Sequence, residues 1–327
     1  IYIISLKFWR DFMNASKGGM KRLLAVIIPL LVIIFVFFSS IANYIIDYQW
    51  FKELNYTEVF FKKLFTQIKF FVPAFLILFL LFYVFIRSIN AHSAKKSGAI
   101  LSIEEKRLRS RVMIFISIGA SLILSILFVS QIWYDFLIFI NKNTFNIADP
   151  VFSKDIGFYI FTLPFLDKLY SFLLGLVMIL ALITVAYNLA FGLMAKQPPQ
   201  AIYEENVTNL FTPKVVYTNI LEAAYKQLAI LGAAFFTILA FGFYLRTFQL
   251  LYASRGITYG AGYTDIRVSL PAYYVYAVIS ILSAILIIYS SIKKKVRFAA
   301  FGPILLIIAI VGSGLISTTV QNVIVTP

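Results

Sequence analysis

Seven stretches of this chain carry no charged side chain, and they constrain its fold more than any other feature. They are Leu23–Ile46, Phe70–Ile86, Val112–Tyr134, Leu169–Ala195, Gln227–Leu245, Val268–Ile292, and a last one that starts at Phe298, with no charged residue after Arg297. A membrane-spanning helix needs about 20 mostly apolar residues to cross about 30 Å of hydrocarbon. Backbone groups in lipid must be satisfied within the segment, so continuous apolar runs of this length read as helices. A transmembrane barrel would instead show short strands of alternating polarity. Of the 327 residues 61% are hydrophobic and 13% charged, against about 25% charged in a typical soluble domain. The expected fold class is all-α: a polytopic membrane helix bundle of about seven transmembrane helices plus short interfacial helices. The transmembrane domain is expected over residues 1–316, with 317–327 beginning a connection to a further domain. The first run exceeds the 7–15 apolar residues of a signal peptide, and no small-residue cleavage site follows it.

The distribution of charge gives an orientation. Nineteen of the 29 basic residues fall in the N-terminal segment and in the connections 87–111, 196–226 and 293–297; ten fall in the alternate connections. With the acidic residues counted, one face carries +13 and the other +2. Lysine and arginine concentrate on the cytoplasmic side of membrane proteins, so the N-terminus is expected in the cytoplasm and the C-terminus outside, in the cell membrane. The overall +15 is then a mark of cytoplasmic loops, and no nucleic-acid partner is expected.

Several local patterns suggest packing and anchoring. Asn55 followed by Glu58 fits a variant capping box, and behind it Phe61, Leu64, Phe65 and Ile68 recur at helical spacing between lysines. This predicts a helix lying in the headgroup region before the second span, as a surface anchor or as a lipid-contacting or gating element. Pro198 and Pro199 end the fourth helix, and the segment 200–227 reads as a cytoplasmic surface helix or hairpin. Ser117, Ser121 and Ser125, four apart beside Gly119 and Ala120, mark a face where helices approach closely in lipid; Ala229 with Ala233, and Ser280 with Ala284, do the same. A substrate path is the alternative reading of these faces.

Sites of chemistry are sparse. The chain has no cysteine and a single histidine, His92, so thiolate catalysis and thiolate zinc sites are excluded. No metalloprotease, P-loop or nucleophile-elbow motif is present, and Gly312-Ser313-Gly314 has no histidine to activate its serine. None of the 14 acidic residues lies mid-span, although ion-coupled transporters usually carry ionisable groups there. No enzyme activity, cofactor or metal is expected.

Three segments carry a resemblance: Asp47, Trp50, Phe51, Glu53, Leu54 and Tyr56; Trp133-Tyr-Asp with Asn141 and the run from Asp149-Pro150 to Pro164-Phe165; and Ser254 to Asp265 followed by Leu270-Pro271. Together they resemble the uncharacterised protein family UPF0182, from about Asp47 onward. The resemblance implies a bacterial or archaeal membrane protein with seven spans followed by a large extracytoplasmic domain. It also implies that this domain is missing after Val325-Thr-Pro327, where the family shows Val-x-Pro-Asn-Glu. The absent initiator methionine fits the same expectation. The resemblance brings no activity or catalytic residues.

All three segments fall on the face assigned to the outside. Their rings suit the membrane–water boundary, and Asp149, Asp155 and Asp265 read as helix caps or turn residues, with cation binding the alternative. The candidate docking or interface residues are Trp50, Phe51, Asp149, Pro150, Asp155, Phe158, Tyr159, Arg255, Gly262, Tyr263 and Asp265. The expected function is to anchor and orient an extracytoplasmic domain, with a transporter or lipid-handling channel as the alternative. The expected partners are membrane lipids, that domain, and further copies of the chain in a homo-oligomer.

Overall fold

The computed structural model describes residue 38 and residues 41–97, 103–194, 214–252 and 260–325. Among these, every regular element is helical. Helix α1 covers 41–53. It is followed by α2 (Thr57–Ser97), α3 (Ile103–Ile140), α4 (Leu163–Met194), α5 (Lys214–Gln249), α6 (Leu270–Lys293) and α7 (Arg297–Val320). Six helical segments, in α2 to α7 with their adjoining turns, are long and apolar enough to cross a membrane. Of the first apolar run, Leu23–Ile46, residues 23–37, 39 and 40 lie outside the described residues. Two compact units divide the chain, Ile1–Lys69 and Phe70–Pro327.

The helices extend beyond the apolar runs that mark them. The predicted headgroup helix and second span are one uninterrupted 41-residue helix, α2, which also takes in the stretch 87–97 and His92, expected as loop. Likewise α3 begins at Ile103 and α5 at Lys214, inside stretches read as connections. Lysine, arginine and glutamate are good helix formers, so a helix leaving the bilayer does not unwind where its charges begin. The rest of the predicted surface segment, 200–213, lies outside the described residues, as do Pro198 and Pro199.

Asn55 also departs from expectation. It does not cap the following helix; it adopts φ +59° and closes α1. Tyr56 N–H donates to the Phe51 carbonyl (2.8 Å) and Asn55 N–H to that of Lys52 (3.1 Å), the paired bonds of a Schellman turn, whose left-handed residue is glycine or asparagine.

In the larger unit, α4 packs on α3 and α5, and α6 on α5 and α7. Leu78 and Phe82 of α2, Leu124 of α3, Leu176, Val177 and Leu180 of α4 and Leu231 of α5 form one core cluster. Phe243, Tyr276, Ile279 and Leu306 form another among α5, α6 and α7. The α6–α7 crossing depends on Gly302, where an added Cβ would stand 2.6 Å from the Ser283 Cα.

The polarity of the bundle is inverted relative to a water-soluble protein. Ser117, Ser121, Ser125, Thr184, Ser280 and Ser283 are fully buried, while Phe115, Leu182, Ile230 and Ile307 stand exposed on the outside. The α3 serines face inward together, as their spacing predicts. Each bonds within its own helix: Ser117 to the Met113 carbonyl, Ser121 to Ile118, Ser125 to Leu122. Such back-bonding satisfies a hydroxyl without water.

Two wide turns introduce helices at the same end of the bundle. Residues Phe158–Thr162 precede α4 and Asp265–Ser269 precede α6, both as π-helix. In each the residue before a proline bonds five residues back: Leu163 N–H to the Phe158 carbonyl, and Leu270 N–H to that of Asp265. A proline ring clashes with the carbonyl four residues earlier and has no N–H to offer it. The turn ahead of Pro164 and Pro271 widens accordingly, and these turns carry Tyr159 and Asp265.

Candidate functional site

The connection between α3 and α4, residues 141–157, is a folded platform built around two aspartates. The Asp149 carboxylate accepts hydrogen bonds from the backbone N–H groups of Val151 (2.9 Å), Phe152 (2.7 Å) and Lys154 (2.9 Å), and from the Tyr159 hydroxyl at 2.7 Å. The Asp155 carboxylate accepts from the N–H groups of Gly157 (2.7 Å) and Phe145 (3.2 Å). An isolated antiparallel bridge joins Ala148 to Asp155. Asn146 and Ser153 take positive φ to close the turns. Gly157 cannot be larger: an added Cβ would lie 2.6 Å from the Asn143 carbonyl oxygen.

The electrostatics follow from these bonds. Partial burial works to raise the Asp149 pKa, but donation from Phe152, Tyr159, Lys154 and Val151 outweighs it, and the carboxyl is held below the usual range. Asp155 is shifted the same way: desolvation opposes, while the N–H groups of Gly157, Phe145, Asn146 and Ile147 prevail. Hydrogen bonds to the ionised form stabilise it. Both carboxylates therefore act as turn-forming anions, held mainly by backbone donors. Among the described residues, no group of three or more His, Asp or Glu side chains is placed to hold a metal ion.

Aromatic packing ties this platform to the bundle. Phe248 of α5 lies 4.8 Å from Phe152, 5.0 Å from Phe158 and 6.4 Å from Tyr159, centroid to centroid. Tyr159 also meets Tyr252, and Tyr159, Leu163, Leu245 and Phe248 form a buried cluster. At the same end, Asp167 accepts from Gln249 Nε2 at 3.0 Å and Asp135 pairs with Lys168. Asp167, expected in a loop, lies within α4.

The structure thus gathers Asp149, Asp155, Phe158 and Tyr159 around one loop, with Pro150 exposed at its turn. Gly262, Tyr263 and Asp265 form a second set at the start of α6. There the Gly262 N–H donates to Asp265 Oδ2 (3.1 Å), Thr264 donates to Gln321 Oε1 (2.7 Å), and Tyr263 is exposed. Trp50 and Phe51 belong to the other unit, in edge-to-face contact at 5.0 Å near the end of α1. Arg255 lies outside the described residues. The sequence reading missed Phe152, Phe248 and Tyr252. The signal for Phe248 and Tyr252 was their recurrence with Tyr244 every fourth residue, one stripe on a helix end.

A second feature of this end is a partly open cleft of about 420 Å³ among α4, α5, α6 and α7. Arg246, Ser269, Ser313 and Ser317 line it together with Leu239, Phe243, Tyr276 and Ile310.

Helices with apolar exteriors, buried hydroxyls and six bilayer-length segments define a multi-pass membrane protein of the all-helical class. The chain belongs to the uncharacterised protein family UPF0182, whose model it matches over residues 24–327. It is 32% identical over 307 residues to a UPF0182 protein of Clostridium acetobutylicum, covering 93% of this chain and 33% of that one. It is 34% identical over 292 residues to one of Alkaliphilus metalliredigens (89% and 31%), and 33% identical over 309 residues to one of Clostridium botulinum (94% and 34%). The chain therefore spans about a third of the length of the curated relatives it matches. No solved structure matches it.

Proposed function

We propose that this bundle anchors and orients a large extracytoplasmic portion of the protein, with the α3–α4 platform as its docking floor. The reading is non-catalytic. In it the N-terminus faces the cytoplasm, and the platform end faces outward from the cell membrane. The observation that carries it is a loop folded around two hydrogen-bonded aspartates that nonetheless presents large apolar side chains: Phe145 is 46% exposed and Ile147 58%. A folded loop with exposed apolar groups is suited to receiving a partner surface without an ordering cost on binding. The occupant is the remainder of the same protein, because the relatives are about three times as long as the matched region.

The test uses the full-length protein with Phe145 and Ile147 both replaced by aspartate, and reads site-specific crosslinking from the platform into the remainder of the chain. Loss of crosslinks, with the bundle still folded, supports docking. If the crosslinks persist, and an unrelated membrane anchor substitutes for the bundle without loss of cellular function, the docking floor is wrong. A second reading, handling of lipid or another amphiphile, is favoured by the cleft that Arg246 lines.

A further inference from the structure

We infer that the cleft among α4, α5, α6 and α7 is a binding site for an anionic phospholipid, with Arg246 holding the phosphate. This goes beyond the anchoring reading, since a lipid can occupy the cleft whether or not the platform docks a domain.

The lining residues divide by depth. Leu239 and Arg246 are seven residues apart on α5 and both line the cleft, which at about 1.5 Å per residue makes it roughly 10 Å deep. Leu239, Phe243 and Ile310 give its inner part an apolar wall, whereas Arg246, Ser269 and Ser317 lie toward the platform end. The division matches an amphiphile with an acyl chain inside and a polar head at the mouth.

Among the described residues, no carboxylate lies within ion-pairing distance of Arg246. Asp167, near Tyr170, instead takes the amide of Gln249. The hydroxyls of Ser269 and Ser317 make no side-chain hydrogen bond among the described residues. A guanidinium presents a fork of donors matched to phosphate oxygens, and the two hydroxyls that line the same cleft add donors for that group.

Depth in the bilayer agrees. The α5 span, Ala224–Tyr252, has 29 residues, about 43 Å of helix against about 30 Å of hydrocarbon. Some 6 Å at each end then lies among headgroups. Arg246, six residues before Tyr252, sits close to the hydrocarbon boundary, where a lipid phosphate resides.

The experiment measures retained lipid by native mass spectrometry on the full-length protein, released from nanodiscs of equal phosphatidylglycerol and phosphatidylcholine. Both lipids carry the phosphate, but the choline cation of phosphatidylcholine is repelled by the guanidinium, so wild-type protein is expected to retain phosphatidylglycerol about tenfold over phosphatidylcholine, equivalent to about 1.4 kcal/mol. Arg246→Gln is expected to abolish the preference, Arg246→Lys to keep part of it, and Ala272→Phe, which fills the cleft, to reduce retention of both lipids. Melting curves identify any variant that has lost its fold; Ser317→Val then serves in its place, with a partial loss of preference expected. Equal retention of the two lipids by wild type, or an unchanged preference in Arg246→Gln, would overturn the inference. So would displacement of phosphatidylglycerol by millimolar inorganic phosphate, which would make the site an anion site and not a lipid site.

Discussion

The hydroxyl of Tyr159 donates to Oδ2 of Asp149 at 2.7 Å, and this bond joins the α3–α4 platform to the turn that starts α4. The same carboxylate holds three backbone N–H groups, so its loss leaves four donors unmatched. An unmatched, partly buried donor costs about 1–3 kcal/mol. Asp149→Ala is therefore expected to expose the platform to hydrogen exchange at Val151, Phe152 and Lys154, and to lower stability by about 2–3 kcal/mol. Tyr159→Phe is expected to cost about 1 kcal/mol. The double variant should cost less than the sum of the two. Strict additivity in the double-mutant cycle would mean the bond contributes nothing.

Acid should loosen the same loop. Both Asp149 and Asp155 have their pKa lowered by folding, so the folded platform favours their ionised forms. The stability they contribute is present above the ordinary aspartate pKa of about 3.9 and is lost as pH falls through their lower folded values. Exchange rates of the Gly157 and Phe152 amides, corrected for intrinsic pH dependence, should rise below about pH 4. In Asp149→Asn the Phe152 response should vanish, and that of Gly157 should remain.

Close helix contacts at glycine are the next point of failure. Gly302→Ala must displace Ser283, whose Cα would stand 2.6 Å from the new Cβ. Overpacking of this kind costs about 1–3 kcal/mol. Thermal unfolding in detergent should fall for Gly302→Ala and further for Gly302→Leu. By contrast, Gly119→Ala, with open space around its Cβ position, should leave the melting temperature unchanged or raise it, since alanine favours the helix. A stable Gly302→Leu protein would show that α6 and α7 separate more readily than their packing indicates.

Orientation is directly measurable, because this chain has no native cysteine. Single cysteines at Phe145 and at Lys294 lie in connections at opposite ends of the bundle. A membrane-impermeant maleimide added to intact cells is expected to label Phe145→Cys and not Lys294→Cys. The reverse pattern would invert the topology inferred from charge.

The fold was legible in the sequence where composition alone decides it. The apolar runs marked the spans, and the four-residue spacing of Ser117, Ser121 and Ser125 marked an inward face. The helix ends were not legible, because a charge-free window stops at the first lysine while the helix does not; hence α2 continues past Arg87 to Ser97. Asn55 misled because asparagine serves both as an N-cap and as a left-handed helix terminator, and only the backbone of α1 distinguishes them. At the site, Asp149 and Tyr159 stood in the recognisable segment, whereas Phe248 entered from α5, about 90 residues away. Nothing local to either stretch announces that pairing.

The serines of α3 have a consequence for how the protein is made. Because Ser117, Ser121 and Ser125 each bond to a carbonyl of their own helix, the inward face of α3 needs no polar partner from a neighbour. That face can enter the bilayer with these hydroxyls already satisfied, and meet α2 and α4 by shape. Insertion of this face can thus precede packing, whereas the platform, whose aromatic seat lies on α5, must await a later segment of the nascent chain.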